Sequence, residues 1–232
     1  MIEVAQHRSA LESLGLTTLD GVKRYRGELV KDHHGRRDIL RIRLPDTTLY
    51  LKRNWHPYKK DGLRSLMRHG VVWSIAKQEW ENSRALQPAG LRTAELVAFG
   101  QDCGPFWERF SFIITEAAPG RPLNECLNDR HDALAREIRK MHDAGLFSPD
   151  LFTRHIFMES GRYTLIDMAR LDGGPAARDL AALNITAPLR LVSAKERLRF
   201  LNAYGGRHLF RQIEQRVRYL LKKRRKFADF SV

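Results

Sequence analysis

The stretch Thr115-Glu116-Ala117-Ala118-Pro119-Gly120-Arg121-Pro122 divides a strand-rich front from a helix-rich back. That division restricts the chain to folds built from two unlike parts. Residues 1–20 read as a short, weakly amphipathic lead-in. Strand patterns follow at about 22–30, 38–44 (DILRIRL) and 48–53 (TLYLKR), the last two alternating apolar and polar side chains about a Pro45-Asp46 turn. Residues 54–70 are polar, basic and irregular, the pattern of a loop. A helix is predicted over 72–87, stopped by Pro88 and Gly90. Strands at 93–99 and 108–115 flank a turn-rich 100–105.

Behind the divide, helices are predicted at 123–127 and at 132–144, the latter closed by Gly145. A loop at 146–154 leads into β-pieces at 155–158 and 162–167, joined by Glu159-Ser160-Gly161. Gly173-Gly174-Pro175 then opens helices at 176–186, 193–204 and 207–226. The expectation is one α+β domain over 1–232. Its front, about 1–116, is an antiparallel sheet with one helix. A connection at about 115–122 leads to a helical part at about 123–232.

A chain of 232 residues can bury one sizeable core or two small ones. Two cysteines without a CxxC pairing argue against a zinc site and fit a reducing cytoplasm. Met1 to Arg8 show no basic region leading into an apolar run, so no signal peptide is expected. No run of eighteen apolar residues exists to span a bilayer. The net charge of +14 favours polyanions, but charge alone does not choose among nucleic acid, anionic membrane and anionic substrate. Nucleic acid stands last, because no zinc knuckle, RNP-type aromatic segment or recognition helix accompanies the charge.

Phosphoryl transfer needs a cation on the nucleotide phosphates, a carboxylate for Mg²⁺ and a carboxylate to orient the attacking hydroxyl. Candidates appear in an ordered set. Lys52 ends the third strand on the face shared with Tyr50, and Glu79 lies mid-helix where it can pair with Lys52. Asp150 falls in the loop after the 132–144 helix, with His155 five residues on. Asp167 closes an apolar β-piece, Leu165-Ile166-Asp167. Singly, each has a bland reading as surface charge, turn residue or core histidine. Asp167 is the least bland, since an acid ending a buried strand is costly unless paired or metal-bound. In this order they follow the protein-kinase arrangement.

The segments Tyr50 to Arg53, Glu79-Trp80, Ala89-Gly90-Leu91-Arg92-Thr93, Thr115-Glu116, Asp150-Leu151-Phe152-Thr153-Arg154-His155-Ile156, Leu165-Ile166-Asp167 and Arg178-Asp179-Leu180-Ala181 resemble the lipopolysaccharide core kinase family. These are the Kdo/heptose kinases, with a bilobal protein-kinase-like fold, and the likeness runs over about 20–205. Its most specific element is Asp-Leu-aromatic-x-x-His-Ile, with His where most kinases have Asn. The resemblance implies ATP and Mg²⁺ as cofactors and a heptose or Kdo of a lipid-A-linked core saccharide as acceptor. It implies Asp150 as catalytic base and Lys52 on the α/β-phosphates, positioned by Glu79. Mg²⁺ would rest on Asp167 and His155, adenine on Thr115, Glu116, Ala117 and Ala118, and Asp179 would brace the catalytic loop.

Three departures from the family pattern keep a second reading open. Ser148 stands where the family has a His two residues before the catalytic Asp, no GxGxxG is present, and the metal triplet reads Asp-Met-Ala. A basic tip, His33-His34-Gly35-Arg36-Arg37, is the nearest counterpart of a phosphate-covering loop. The alternative is thus a catalytically impaired pseudokinase that binds nucleotide or anionic glycolipid. An aminoglycoside- or choline-type kinase shares the fold, though His155 points away from it. His142 reads as structural, bonding the loop that follows its helix. The C-terminal stripe Leu209, Ile213, Val217, Leu220 and Leu221, opposite a basic face running into Lys222 to Lys226, reads either as packing or as a helix resting on anionic lipid. The expected location is cytoplasmic, peripheral at the inner membrane face.

Overall fold

The computed structural model of the chain describes residues 1–126, 131–188 and 190–224, Arg224 without its side chain. In chain order the elements are β1 (Ile2–Val4), α1 (Arg8–Ser13), α2 (Leu19–Arg24), β2 (Glu28–Asp32), β3 (Arg37–Arg43), β4 (Thr48–Asn54), α3 (Lys59–His69) and α4 (Ile75–Leu86). Then come β5 (Arg92–Thr93), β6 (Leu96–Cys103), β7 (Glu108–Glu116), β8 (Arg121–Pro122), α5 (Leu123–Cys126) and α6 (His131–Asp143). The remainder is β9 (Ile156–Glu159), β10 (Arg162–Leu165), α7 (Ala176–Thr186), α8 (Ala194–Tyr204) and α9 (Phe210–Arg224). Two compact units result: Met1–Arg84 with Ala94–Ala118, and Ala85–Thr93 with Pro119–Val232.

The first unit is a six-stranded antiparallel sheet in the order β1-β6-β7-β4-β3-β2. Period-two alternation sends Leu49 and Leu51 of β4, with Leu40, Ile42, Phe110, Phe112 and Ile114, to one face, where Leu11, Leu16 and Val22 cover them. The other face carries Leu96, Phe99 and Ile113 under Ala76 and Trp80 of α4. Each large side chain so buried contributes roughly 1.5–3 kcal/mol. Lys52 stands opposite Ile113 in the β4–β7 register, on the α4 face. Arg53 points the other way and is buried. Its Nε and Nη2 meet Asp38 at 2.8 and 2.7 Å, while Nη1 donates to the carbonyls of Val22 and Tyr25.

The second unit holds a small sheet, β5-β10-β9-β8, with β5 parallel to β10 and the other pairs antiparallel. Its core gathers Ile138 and Met141 of α6, Leu151, Ile156, Leu165, Met168, Leu180 of α7, Leu201 and Tyr204 of α8, and Ile213 of α9. A capping box starts α8: Ser193 Oγ accepts from Glu196 N, and the Glu196 carboxylate accepts from Ser193 N.

Several sequence expectations are corrected. Residues 54–70 are not a loop, because α3 occupies Lys59–His69. Its fully buried positions are small (Gly62, Ser65), Leu66 is only half-buried, and Leu63 and Met67 point outward, so periodicity hides it. The lead-in contains a strand, β1, too short for any pattern to show. It also contains α1, and the strand expected at about 22–30 begins only at Glu28, because Leu19–Arg24 is helical with Thr18 accepting from Gly21 N. Three helices therefore join α4 in the first unit. Strand β6 runs through Gly100 to Cys103, which had read as a turn. The C-terminal helix starts at Phe210 after a 3₁₀ turn, and residues 225–226 lie outside the described residues.

One buried carboxylate fixes the start of α4. Glu108 of β7 accepts the Ile75 N–H at 2.8 Å. Burial pushes its pKa up to about 7, against the opposing pull of Ser111, the Ile75 N–H and the charge of Arg37. A carboxyl raised in the fold binds its proton more tightly there than in the unfolded chain. Its contribution is therefore complete below about pH 4.5 and is lost as pH rises through about 7. Glu108→Gln keeps an acceptor for Ile75 and removes the ionisation. It is expected to relieve up to about 3 kcal/mol of alkaline-side destabilisation. Urea unfolding from pH 5 to 8.5 should show the wild type losing stability across that window and the variant losing less. Parallel curves would show that Glu108 does not titrate there.

Candidate active site

In the first unit, Lys52 and Glu79 meet. The lysine Nζ lies 2.9 Å from both carboxylate oxygens, and the two side chains are 14% and 6% exposed. Strand alternation puts Lys52 on the α4 face, and Trp80 next to Glu79 anchors α4 on that face. A charge-assisted, largely buried pair of this kind holds the ammonium in one place. The segment of Thr115, Glu116, Ala117 and Ala118 continues from the end of β7. There the Glu116 N–H donates to Glu95 O and the Ala117 N–H to Thr48 O, both intramolecular, while Glu116 Oε1 lies 2.7 Å from His7 Nε2.

In the second unit, α6 is followed by Gly145 in the left-handed region (φ 74°), where a side chain would be strained. The loop behind it is tied down at each step. Phe147 and Asp172 exchange backbone hydrogen bonds, and Ser148 N donates to Asp179 Oδ2. Thr153 N and Oγ1 bond Thr186 of α7 at 3.1 and 2.7 Å. Asp150 sits between these ties, its Oδ2 3.4 Å from Arg170 Nη1.

His155 follows in the 3₁₀ turn of the same loop. Its Nδ1 lies 3.0 Å from the Asp150 carbonyl, which can only accept, so the proton is on Nδ1. Nε2 accepts from Arg154 Nε at 3.2 Å and stands 3.6 Å from Asp167 Oδ2. With the Arg154 hydrogen bond released, the Nε2 lone pair and the Asp167 carboxylate form a paired donor set of the kind that holds a cation. Asp167 adopts φ 58°, a left-handed conformation uncommon for a residue with a Cβ and of the sort that accumulates at functional positions. Among the described residues no three His, Cys, Asp or Glu side chains cluster as a metal set. The donors present fit an ion that draws its remaining ligands from phosphates and water, as Mg²⁺ does.

Sequence reasoning missed the network behind this loop. Asp179, with no exposure, accepts from Arg178 Nε at 2.9 Å as well as from Ser148 N. Arg178 also clasps Asp172 with Nη1 and Nη2 at 3.0 and 2.6 Å. Burial would lower the Arg178 pKa and raise that of Asp172. Their mutual hydrogen bonds and charges override it, raising the arginine and lowering the acid. His142 completes the group. Its Nε2 lies 3.4 Å from the same Asp179 oxygen that holds Ser148, its Nδ1 2.7 Å from the Tyr204 hydroxyl, and its ring stacks on Phe147. An imidazole from α6 thus stands beside the loop whose position 148 carries Ser. The ties of Ser148 and His142 to Asp179 span 31 residues or more and give no local pattern, so only Asp179, through resemblance, and His142, as a structural residue of its helix end, were legible.

A lysine–glutamate pair on a sheet and its helix, with a helical unit carrying a braced loop Asp, His and a following Asp, defines a protein-kinase-like phosphotransferase. Two solved structures show that fold. One, "WaaP in complex with acyl carrier protein", superposes with a TM-score of 0.66 at 23% identity over 97% of each chain. An aminoglycoside-3'-phosphotransferase of type VIII superposes with a TM-score of 0.60 at 19% identity, over 86% of this chain and 92% of the other. Residues 20–204 match the profile of the lipopolysaccharide kinase (Kdo/WaaP) family, and the chain belongs to that family. The lipopolysaccharide core heptose(I) kinase WaaP of Pseudomonas aeruginosa is 26% identical over 223 residues, 84% of this chain and 83% of that protein. The chain is accordingly a kinase of lipopolysaccharide biosynthesis.

The bracing network yields a stability test. Asp179→Ala strands Arg178 and the Ser148 N–H in a buried place, and is expected to lower the unfolding free energy by about 3–5 kcal/mol. Urea titration reads this directly. A loss under about 1 kcal/mol would show that the carboxylate does not hold the loop.

Proposed function

We propose that the chain transfers the γ-phosphoryl group of ATP to a hydroxyl of a heptose or Kdo in the inner core of a lipid-A-linked saccharide. The observation that carries the mechanism is the fixing of Asp150 by its loop. The neighbouring backbone is bonded to Asp172, Asp179 and Thr186, while the Asp150 carboxylate keeps one oxygen toward Arg170. In this reading Asp150 orients the sugar hydroxyl and accepts its proton as the oxygen–phosphorus bond forms. The bond to ADP breaks in line with it. Lys52 draws charge off the α/β-phosphates from the position Glu79 gives it. Thr115, Glu116, Ala117 and Ala118 border the adenine. Because the Glu116 and Ala117 N–H groups are already taken, base recognition there falls to other backbone groups of the segment.

Asp167 and His155 would hold Mg²⁺, which when bound neutralises charge developing on the transferred group. His155 is fixed for that task by its Nδ1–H to the Asp150 carbonyl, which couples the metal donor to the base-bearing loop. Arg170, 3.4 Å from Asp150, stabilises the carboxylate and lies where an anionic acceptor would bring its own phosphate or carboxylate groups. An acceptor rooted in lipid A places the protein at the inner face of the cytoplasmic membrane. Among the described residues no helix is long and apolar enough to cross a membrane.

The pseudokinase reading drew on Ser148 and the absent glycine-rich loop. What favours transfer is His142, which supplies an imidazole beside Asp179 although position 148 has none. Asp150→Ala should lower turnover on a core acceptor by about 10²–10⁴-fold while ATP affinity stays within a few-fold of wild type. Lys52→Ala should weaken both. Coupled ATP-consumption assays with equilibrium nucleotide binding read the two quantities. Undiminished turnover in Asp150→Ala would remove Asp150 from its role, and wild-type binding without consumption would establish the pseudokinase.

A further inference from the structure

Helix α3 is amphipathic in the wrong sense for packing. Its inner side is Gly62 and Ser65, whereas Leu63 and Met67 point to water, Met67 with 82% of its surface exposed. The close approach explains the small residues. A Cβ on Gly62 would come within 2.8 Å of Phe106 O and 2.9 Å of Trp107 Cα, so the helix lies directly on the β6–β7 hairpin. Ser65 Oγ accepts the Trp73 N–H at 2.7 Å, and His69 stacks on Trp73. Polar bonds and stacking thus hold the helix with Leu63 and Met67 outward. The hairpin tip beside it exposes Phe106 (61%) and Trp107.

This ridge is bordered by cations. Lys60, Arg64 and Arg68 follow at i, i+4 and i+8 alongside Leu63 and Met67. Lys59 Nζ lies 5.3 Å over the Trp107 ring, and Arg36 and Lys60 lie over Tyr58 at 4.5 and 5.1 Å. Asp61, half-buried in the first turn, is the acid of this helix. Exposed apolar surface of this kind marks an interaction site, and its chemistry selects the partner. The apolar groups stand on the exposed side of a helix and at a hairpin tip, positions from which they can enter a soft medium. Rows of Lys and Arg flank them, and an indole sits at the margin. Bases of a nucleic acid would need open aromatic faces, but Tyr58 and Trp107 are already capped by the protein's own cations. The basic α9 is a weaker candidate, because Ile213, Val217 and Leu220 of its apolar stripe pack into the second unit's core.

We propose that α3 and the β6–β7 tip form a surface that docks on an anionic phospholipid membrane, inserting Leu63, Met67, Phe106 and Trp107 among headgroups held by Lys59, Lys60, Arg64 and Arg68. The proposal rests on the sugar-kinase reading only in taking the acceptor to be lipid-anchored. The test is vesicle flotation with phosphatidylglycerol–phosphatidylethanolamine and with phosphatidylcholine alone. Each protein is also assayed on a deacylated, water-soluble core oligosaccharide. The wild type should float with the anionic vesicles, and L63E/M67E and K60E/R64E should each reduce the bound fraction at least tenfold. Melting temperature and turnover on the soluble acceptor should be unchanged. Equal flotation of wild type and variants overturns the proposal, as does no flotation of the wild type. Patch-dependent binding of a single-stranded oligonucleotide without flotation overturns it as well. Flotation lost in the variants with no turnover in any protein upholds the docking surface and counts against the sugar-kinase reading alone.

Discussion

The carboxylate of Asp179 has no contact with water, and a buried acid left without partners would destabilise the second unit by several kcal/mol. Its partners are therefore what give the unit its shape around the Asp150 loop. Ser148 donates its N–H, Arg178 its Nε, and His142 stands alongside. Arg178 carries the constraint on to Asp172, whose backbone bridges Phe147. The segment before Asp150 is thus held from both sides by one closed set of charge-assisted bonds. Remove the acid and the loop loses its reference point.

The first unit uses a comparable device at lower charge density. The Lys52–Glu79 pair depends on where α4 sits, and α4 is located by Trp80 in its apolar patch and by Glu108 at its first N–H. Packing sets the helix's height over the sheet, and the cap sets its start. The carboxyl at that start has its pKa raised by burial to about 7, so the cap changes charge near neutral pH.

Of the residues expected to do chemistry, Lys52, Glu79 and Asp167 could be placed because each sits on or at the end of an element with a local pattern, whereas Asp150 and His155, in a loop, were reached through their order in the chain and through resemblance. Alternation assigned Lys52 to one face of β4, helical spacing placed Glu79, and an apolar strand led to Asp167. Among the supporting residues His142 was legible only as a structural histidine, and Arg170, Asp172 and Arg178 were not legible, since their contacts arise through the fold rather than through a local pattern. Helix α3 escaped for a different reason. Periodicity finds helices that bury large apolar side chains, and this one buries glycine and serine instead. The three-residue β1 carries no period at all and exists through its pairing with Ala98, Phe99 and Gly100. The failures fall where an element's reason for existing lies outside itself.

These features bear on the proposal that Asp150, on its braced loop, acts as base toward a sugar hydroxyl. The most direct measurement is mass spectrometry of core oligosaccharide after incubation with ATP and Mg²⁺. The account predicts the gain of one phosphoryl group on a heptose or Kdo residue with wild-type protein, and none with Asp150→Asn. ATP consumed with all its phosphoryl groups released as inorganic phosphate, or an equal gain with the variant, would contradict it.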